Sequence, residues 1–164
     1  MGQSPEGEQR KRVKYVLDTS AFLHSSFLPE GDLYTTPSVI EELKSERKYL
    51  IREDLHIVDP SVASRKKVRE TAQKTGDLYW LSETDVDVLA LALDVGGVLV
   101  SDDFHVQNVA AWMRIPFEGI TTTIREKVIW RKRCPICGKE YPPDARICPR
   151  CGARLILLRK THYY

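Results

Sequence analysis

The sequence lacks any long hydrophobic run, because no apolar stretch in its 164 residues approaches the ~20 residues of a membrane-spanning helix. Its start, MGQSPEGEQRKRVKY, has no apolar segment of the kind that a secretory signal peptide carries. The length fits one ordinary domain of about 100–150 residues with a small appendage. We therefore expect a cytoplasmic protein that has no membrane partner.

Histidine and cysteine are also scarce, with four of each. The histidines stand alone at unrelated spacings, and we assign them no metal role: His24, His56, His105 and His162. The cysteines fall in the segments CPICG and CPRCG, with the spacing C-x2-C-x10-C-x2-C: Cys134, Cys137, Cys148 and Cys151. A disulfide framework would require a secretory context. Paired C-x2-C units instead predict a tetrahedral zinc ion, and the protein fills all its positions, so this zinc is structural.

Acidic and basic residues are divided unevenly along the chain. Residues 1–124 hold 14 Lys and Arg against 20 Asp and Glu, whereas residues 125–164 hold 11 against 3. In the basic tail, Lys127–Arg133 and Ala153–Lys160 alternate apolar with basic residues, which is typical of antiparallel strands with a cationic face. An anionic polymer is the expected partner. The predicted RNA-binding residues are Arg125, Lys127, Trp130, Arg131, Lys132, Arg133, Arg150 and Arg154.

The aromatic residues are expected either to stack on RNA bases or to pack in the hydrophobic core. Trp130 and Tyr141 are candidates for stacking on RNA bases. Trp80 and Trp112 are expected in the hydrophobic core.

Short apolar runs and helical patterns alternate through residues 13–120. The pattern predicts strands at 13–17, 32–35, 55–58, 97–101 and 116–119, and helices at 19–27, 37–49, 61–74, 82–94 and 103–113. Such alternation indicates an α/β fold with a parallel sheet flanked by helices. We predict a disordered N-terminus at 1–12, a main domain at 13–120, a linker at 121–126 and a zinc ribbon at 127–164.

Several carboxylates lie where an apolar run ends or a helix begins. Asp18 and Asp102 follow predicted strands, and ligands bind outside the carboxyl ends of the strands in open α/β sheets. Glu41, Asp85 and Asp103 lie near predicted helix starts, where an acid can also serve only as a cap or compensate the helix dipole. Two alternatives stay open at this stage, namely Glu42 in place of Glu41 and Asp87 in place of Asp85.

Carboxylates gathered at one site repel one another unless cations or protons are present. Hard oxygen ligands suit Mg²⁺ or Mn²⁺. A pair of such ions can activate water and stabilise the leaving oxygen at phosphorus. The acidic cluster therefore predicts phosphodiester hydrolysis.

The segments VLDTSAF, PSVIEEL, LSETDVDVLALAL and LVSDDFHVQNVA resemble the successive acidic motifs of the PIN-domain ribonucleases, over most of residues 13–120. The CPxCG pair that follows them resembles the Nob-type endonucleases in particular, and the compact body looks like an archaeal version. The resemblance implies Asp18, Glu41, Asp85 and Asp102 as ligands of Mn²⁺ or Mg²⁺, with Asp103 beside them.

The same resemblance implies an activity and its partners. The expected reaction is an endonucleolytic cut that forms the mature 3′ end of small-subunit ribosomal RNA and leaves a 3′ hydroxyl. The expected partners are single-stranded pre-rRNA near the cut, an adjacent rRNA helix and the pre-small ribosomal subunit.

Three other interpretations compete with this one. A toxin-like PIN ribonuclease acting on other RNA would usually lack a zinc ribbon. A noncatalytic RNA-binding scaffold for ribosome assembly would not need the intact set of acids. A phosphoacceptor receiver domain would need a lysine near the last strand, and residues 116–120 contain none.

Overall fold

The computed structural model describes residues 12–24, 28–43 and 51–163. The predicted disordered start lies outside these residues except for Arg12, as do the predicted helical residues 25–27 and 44–49. None of the helices in the described ranges combines the length and apolar character needed to cross a membrane.

Strands and helices alternate along the main domain as the sequence predicts. A 3-10 helix, Asp77–Trp80, precedes α4 and was not predicted. In chain order the elements are β1 (Lys14–Leu17), α1 (Thr19–His24), β2 (Asp32–Thr35), α2 (Pro37–Glu42), β3 (His56–Ile57), α3 (Val62–Thr75), α4 (Glu83–Val95), β4 (Val98–Val100), α5 (Phe104–Trp112) and β5 (Phe117–Glu118).

The strands form one parallel sheet in the order β3-β2-β1-β4-β5. From β1 the chain adds strands first on one side and later, from β4, on the other. The carboxyl ends of β1 and β4 therefore flank the point where the strand order reverses, which is where open α/β sheets bind ligands. This arrangement confirms the predicted α/β fold class.

The central strands are apolar because helices cover both faces of the sheet. Val16, Leu17 and Leu99 are fully buried, as expected for strands of a parallel sheet. Leu89 and Leu91 of α4 pack into the same core. The rigid sheet fixes the positions of the residues that follow β1 and β4.

Side-chain caps determine where the helices begin. The Thr36 hydroxyl accepts a hydrogen bond from the Val39 amide, and Pro37 occupies the first turn of α2. Ser61 caps α3 in the same way. Ser82 and Asp85 form a reciprocal capping box at the start of α4.

The C-terminal part forms an antiparallel sheet in the order β7-β6-β8, from β6 (Glu126–Arg133), β7 (Glu140–Tyr141) and β8 (Ile156–Tyr163). Fully buried Val128 of β6 hydrogen-bonds through its backbone N–H and C=O to the Asn108 side chain of α5. The connecting segment is also attached to the main domain, since the Gln107 amide donates to the Thr122 carbonyl. The zinc ribbon therefore packs directly on α5.

Candidate active site and zinc centre

Asp18 follows β1 directly and is the most buried of the predicted site acids, with 5% of its surface exposed. Its Oδ1 accepts the Thr19 amide at 2.8 Å, and its Oδ2 accepts the Ser101 hydroxyl at 2.7 Å. Ser101 follows β4, so this contact joins the two strand ends that flank the reversal of strand order. Burial raises the pKa of Asp18 to about 6 against the opposing effect of the Ser101 hydrogen bond, with Asp85 and Asp103 raising it further.

Asp85 and Asp103 bring negative charge to the same place from two helix starts. Burial is the main cause that raises the pKa of Asp85, and the charges of Asp103 and Glu42 add to it. Asp103 caps α5 through Oδ1, which accepts the amides of His105 and Val106. Both acids thus serve as caps, and their charges also act on Asp18.

Of the two adjacent glutamates at the end of α2, Glu42 contacts Thr19, the residue that follows Asp18. Its Oε2 accepts the Thr19 hydroxyl at 2.8 Å. Glu41, which the sequence favoured, is an exposed residue on the same helix. The geometry favours the alternative, Glu42, because successive helix residues point about 100° apart.

Asp102 is directed away from the other acids. Its Oδ1 accepts the backbone amides of Ile120 and Thr121, and its Oδ2 accepts the Thr121 hydroxyl. Partial burial opposes ionisation, but these hydrogen bonds outweigh it and lower the pKa of Asp102. The structure thus assigns Asp102 a contact with the linker and leaves Asp103 closer to Asp18 and Asp85.

Asp87, the sequence alternative to Asp85, is occupied elsewhere. Its Oδ2 accepts the Ser38 hydroxyl at 2.7 Å, and its Oδ1 lies 2.8 Å from Arg65 Nε. The contacts tie α2 and α3 to α4. They leave Asp85 as the acid of α4 that belongs to the cluster.

The acidic cluster of Asp18, Glu42, Asp85 and Asp103 fits a divalent cation by its chemistry. Among the described residues, none of these four acids takes part in an ion pair with Lys, Arg or His. Within the described part of the chain, no basic side chain therefore relieves their mutual repulsion. Carboxylate oxygens suit Mg²⁺ or Mn²⁺, which keep several waters when bound.

The four cysteines converge at the ends of two tight turns, with all sulfurs within 4.8 Å of one another. Cys137 Sγ and Cys148 Sγ are 3.8 Å apart, the edge of a tetrahedron with Zn–S bonds of about 2.3 Å. Gly138 and Gly152 close the turns with φ of 71° and 68°, the left-handed region that favours glycine. The site fits the predicted structural zinc.

Half-buried Tyr141 contacts this centre through its hydroxyl. Its hydroxyl lies 3.3 Å from Cys148 Sγ. That contact is the main cause that lowers the pKa of the Cys148 thiol to about 6. It also raises the pKa of Tyr141 to about 12. The expectation that the ring of Tyr141 stacks on RNA stays a prediction.

The predicted RNA-binding cations differ in their exposure and in their contacts within the protein. Lys132 and Arg154, with Arg146, line an open cavity of about 440 Å³. Lys127 lies over the Trp112 ring at 4.4 Å, and Arg131 lies 3.9 Å from Glu140. The exposed members of the predicted set are Arg125, Arg133, Arg150 and Arg154.

Two features of the structure were missed from the sequence. Asp77 is completely buried and accepts hydrogen bonds from His105, Trp130, Thr75 and Asn108. Trp80, expected in the core, is 37% exposed and stacks on His105 with ring centroids 4.6 Å apart. No sequence pattern marks Asp77, because its partners come from distant parts of the chain.

A parallel sheet with carboxylates at its strand reversal, joined to a four-cysteine ribbon, defines a PIN-domain ribonuclease with a zinc ribbon. The family described as the PIN domain of ribonuclease matches residues 15–95, and the zinc-ribbon domain matches residues 133–155. Endoribonuclease Nob1 of Methanocaldococcus jannaschii is 42% identical over 150 residues, which cover 85% of this chain and 75% of that protein. The chain belongs to the Nob1 family of endoribonucleases.

Two further relatives carry other names. Ribonuclease VapC1 of Thermoplasma acidophilum is 40% identical over 155 residues, covering 91% of this chain and 78% of that protein. The more distant 20S-pre-rRNA D-site endonuclease nob1 of Schizosaccharomyces pombe is 36% identical over 90 residues, or 49% of this chain and 22% of that protein.

Proposed function

We propose that this endoribonuclease cleaves precursor small-subunit ribosomal RNA to form its mature 3′ end, in the cytoplasm and on the pre-small ribosomal subunit. The observation that carries the proposal is the acidic cluster of Asp18, Glu42, Asp85 and Asp103 in a domain on which a basic ribbon packs. The printed name of the fungal relative, a pre-rRNA endonuclease, supports the choice of substrate.

In this proposal the acidic cluster binds Mn²⁺ or Mg²⁺, which when bound would activate the attacking water and offset charge on the leaving oxygen. Asp18 is the central ligand, held in orientation by the Ser101 hydroxyl and the Thr19 amide. Asp103 and Asp85 are fixed by their capping contacts, so little reorganisation accompanies the reaction. Asp102, which the sequence also predicts as a metal ligand, holds the linker in place through its hydrogen bonds.

The ribbon provides the affinity for RNA that an acidic site cannot provide. Carboxylates repel phosphates, whereas the cations of the ribbon attract them and release counterions. We propose that Lys132 and Arg154 contact the backbone of the adjacent rRNA helix, and that Arg125, Lys127, Arg131, Arg133 and Arg150 extend this contact. Single-stranded pre-rRNA then runs from the ribbon to the acids.

The central test compares Asp18→Asn with the wild type on a pre-rRNA fragment that spans the mature 3′ end, in the presence of Mn²⁺. The variant is expected to lose cleavage while its RNA affinity stays equal or rises, because only the metal site is lost and one negative charge is removed. End mapping of the wild-type products should show a cut at the boundary of the mature RNA. Equal cleavage by the variant would exclude the assignment of the site.

Glu42→Gln and Glu41→Gln form a matched pair, since both remove one charge from the same exposed turn of α2. Glu42→Gln is expected to reduce cleavage strongly and Glu41→Gln to leave it near the wild-type rate. The reverse ranking would restore Glu41 as the ligand. A wild type that cleaves transfer or messenger RNA but does not cleave at the pre-rRNA boundary would favour the toxin-like alternative. The similarity to Ribonuclease VapC1 is the reason to test it.

A further inference from the structure

Aromatic side chains cluster at the junction of the main domain and the ribbon, and we call this group the aromatic platform: Trp80, Phe104, His105 and Trp130. Trp80 stacks on His105 at an interplanar angle of 12°, with ring centroids 4.6 Å apart. The ring centroid of Trp130 lies 5.5 Å from that of Trp80 and 6.0 Å from that of Phe104. The platform joins three segments that are distant in sequence.

Two segments of the platform adjoin acids of the cluster along the chain. Phe104 and His105 are the first residues of α5, and Asp103 caps that helix by accepting the His105 amide at 2.8 Å. Trp80 ends the 3-10 helix two residues before Ser82, whose capping box includes Asp85. A nucleotide that stacks here would place its phosphate next to the acids.

Hydrogen bonds to Asp77 explain the positions of only two residues of the platform. The His105 and Trp130 ring nitrogens lie 2.7 and 3.1 Å from Asp77 Oδ1, which explains their position between the two domains. Trp80 covers His105 and is nevertheless 37% exposed, and its neighbour Tyr79 is 65% exposed. An exposed tryptophan at the edge of a site has an aromatic surface available for a ligand.

A cation accompanies the exposed rings. Arg159 lies directly opposite Trp130 in the β6–β8 pairing. Its guanidinium carbon is 5.5 Å from the Phe104 ring and 5.9 Å from the Trp130 ring. Aromatic rings combined with positive charge are the means by which proteins bind single-stranded nucleic acid without reading its sequence.

We propose that Trp80 and Phe104 form a base-stacking subsite, with Arg159 binding the adjoining phosphate, for a nucleotide of single-stranded RNA next to the scissile bond. The proposal rests on the proposed function in so far as the acids mark the position of the cut. It assigns Trp80 and Phe104 a positioning role and gives the zinc ribbon, through Trp130 and Arg159, a direct part in building the active site.

The test measures binding of single-stranded RNA to full-length Asp18→Asn protein, which does not consume the RNA. The RNA spans the cleavage boundary, and a series of copies each carries one abasic nucleotide near the scissile bond. One or two abasic positions next to that bond should weaken binding about tenfold, because one stacking contact is lost. In the Trp80→Leu background the same abasic positions should cost almost nothing, since the contact is already missing.

Trp80→Phe should restore most of the abasic effect, because it keeps an aromatic ring. The matched control is Tyr34→Leu, which removes a ring that stacks on His56 at 4.8 Å on the far side of the sheet. This control should leave the abasic effect unchanged. Thermal melting identifies variants that fail to fold, and Phe104→Leu replaces Trp80→Leu if the latter is unstable.

An abasic penalty that is equal with and without Trp80 and Phe104 would overturn the stacking subsite. Cleavage at the rRNA boundary together with that result would remove the subsite and leave the proposed function intact. Conversely, Trp80-dependent stacking in a protein whose wild type cuts no RNA would count against the proposed function alone.

Discussion

At the scale of single residues, the two adjacent aspartates after β4 have different surroundings. Asp103 influences Asp18 and Asp85, while both oxygens of Asp102 accept hydrogen bonds from the linker. We therefore expect Asp103 to contribute to the acidic cluster and Asp102 to stabilise the linker.

Asp103→Asn is expected to lower the rate of RNA cleavage at least about a hundredfold, because a bound metal contributes several kcal/mol to the transition state. Asp102→Asn is expected to keep most of the rate but to lower the melting temperature, since hydrogen bonds to a carboxylate contribute about 1.5–3 kcal/mol. Cleavage kinetics and thermal melting of both variants check this division. A rate loss confined to Asp102→Asn would contradict it.

The sequence predicts which strand ends carry acids, but it does not decide between neighbours. Asp18 was predictable because it directly ends a buried strand. Glu42 over Glu41 was not, because tertiary packing decides which of two adjacent helix residues faces α1. The residue type alone predicts that Trp80 lies in the core. Its 37% exposure depends on where the ribbon packs against the main domain.

At the scale of elements, Asp94 near the end of α4 holds the beginning of α3. Its oxygens accept the Ser61 amide at 2.6 Å, the Ser61 hydroxyl at 2.8 Å and the Ser64 hydroxyl at 2.5 Å. Burial is the largest single effect and opposes ionisation, but the hydrogen bonds from Ser64 and Ser61 together outweigh it and lower the pKa of Asp94. The contact fixes α3 against α4 and with it the position of Arg65, the partner of Asp87.

Asp94→Asn should reduce the free energy of unfolding by about 1 kcal/mol at pH 7, the usual effect of losing a helix cap. Because the folded-state pKa lies below the unfolded value, the stabilisation is present above the unfolded value of 3.8 and is lost as pH falls through the lower folded value. Urea unfolding at pH 7 and at lower pH should show the difference between wild type and variant shrinking toward acid.

The matched control for this pH dependence is Asp54→Asn, which removes an exposed carboxylate paired with Arg52 at 2.7 Å. Exposed pairs of this kind contribute little to stability. A stability difference for Asp94→Asn that stays constant with pH would show that the pKa of Asp94 is the same in the folded and unfolded protein, which would contradict the assignment.

At the scale of the whole molecule, Asp77 and Asn108 connect the main domain to the ribbon. Asp77 joins Thr75 at the end of α3, His105 and Asn108 of α5, and Trp130 of β6. A carboxylate only accepts hydrogen bonds, so four donors surround one acceptor group. The ribbon should therefore unfold together with the main domain.

Asp77→Asn should lower stability by about 3 kcal/mol, because the amide nitrogen would take the place of an oxygen that accepts two buried hydrogen bonds. Removal of zinc by a chelator should likewise lower the melting temperature of the main domain, since folding of the ribbon depends on the metal. Calorimetry should show one transition for the wild type, with Asp144→Asn on the ribbon surface as control. Separate transitions for the two domains in the wild type would contradict this coupling.

The division of charge between an acidic body and a basic ribbon predicts how RNA binding responds to salt. Each phosphate contact to a double helix contributes a slope of about −0.9 in a plot of log affinity against log salt. The double variant Lys132→Ser and Arg154→Ser, which removes two of the cations that line the ribbon cavity, should flatten the slope by about 1.8 and weaken binding. The control removes the same charge at Arg12 and Lys14, at the amino ends of the strands, and should leave the slope nearly unchanged. Equal flattening by both variants would mean that RNA responds to net charge and not to the ribbon, and the ribbon would then lose its role in holding the substrate over the acids.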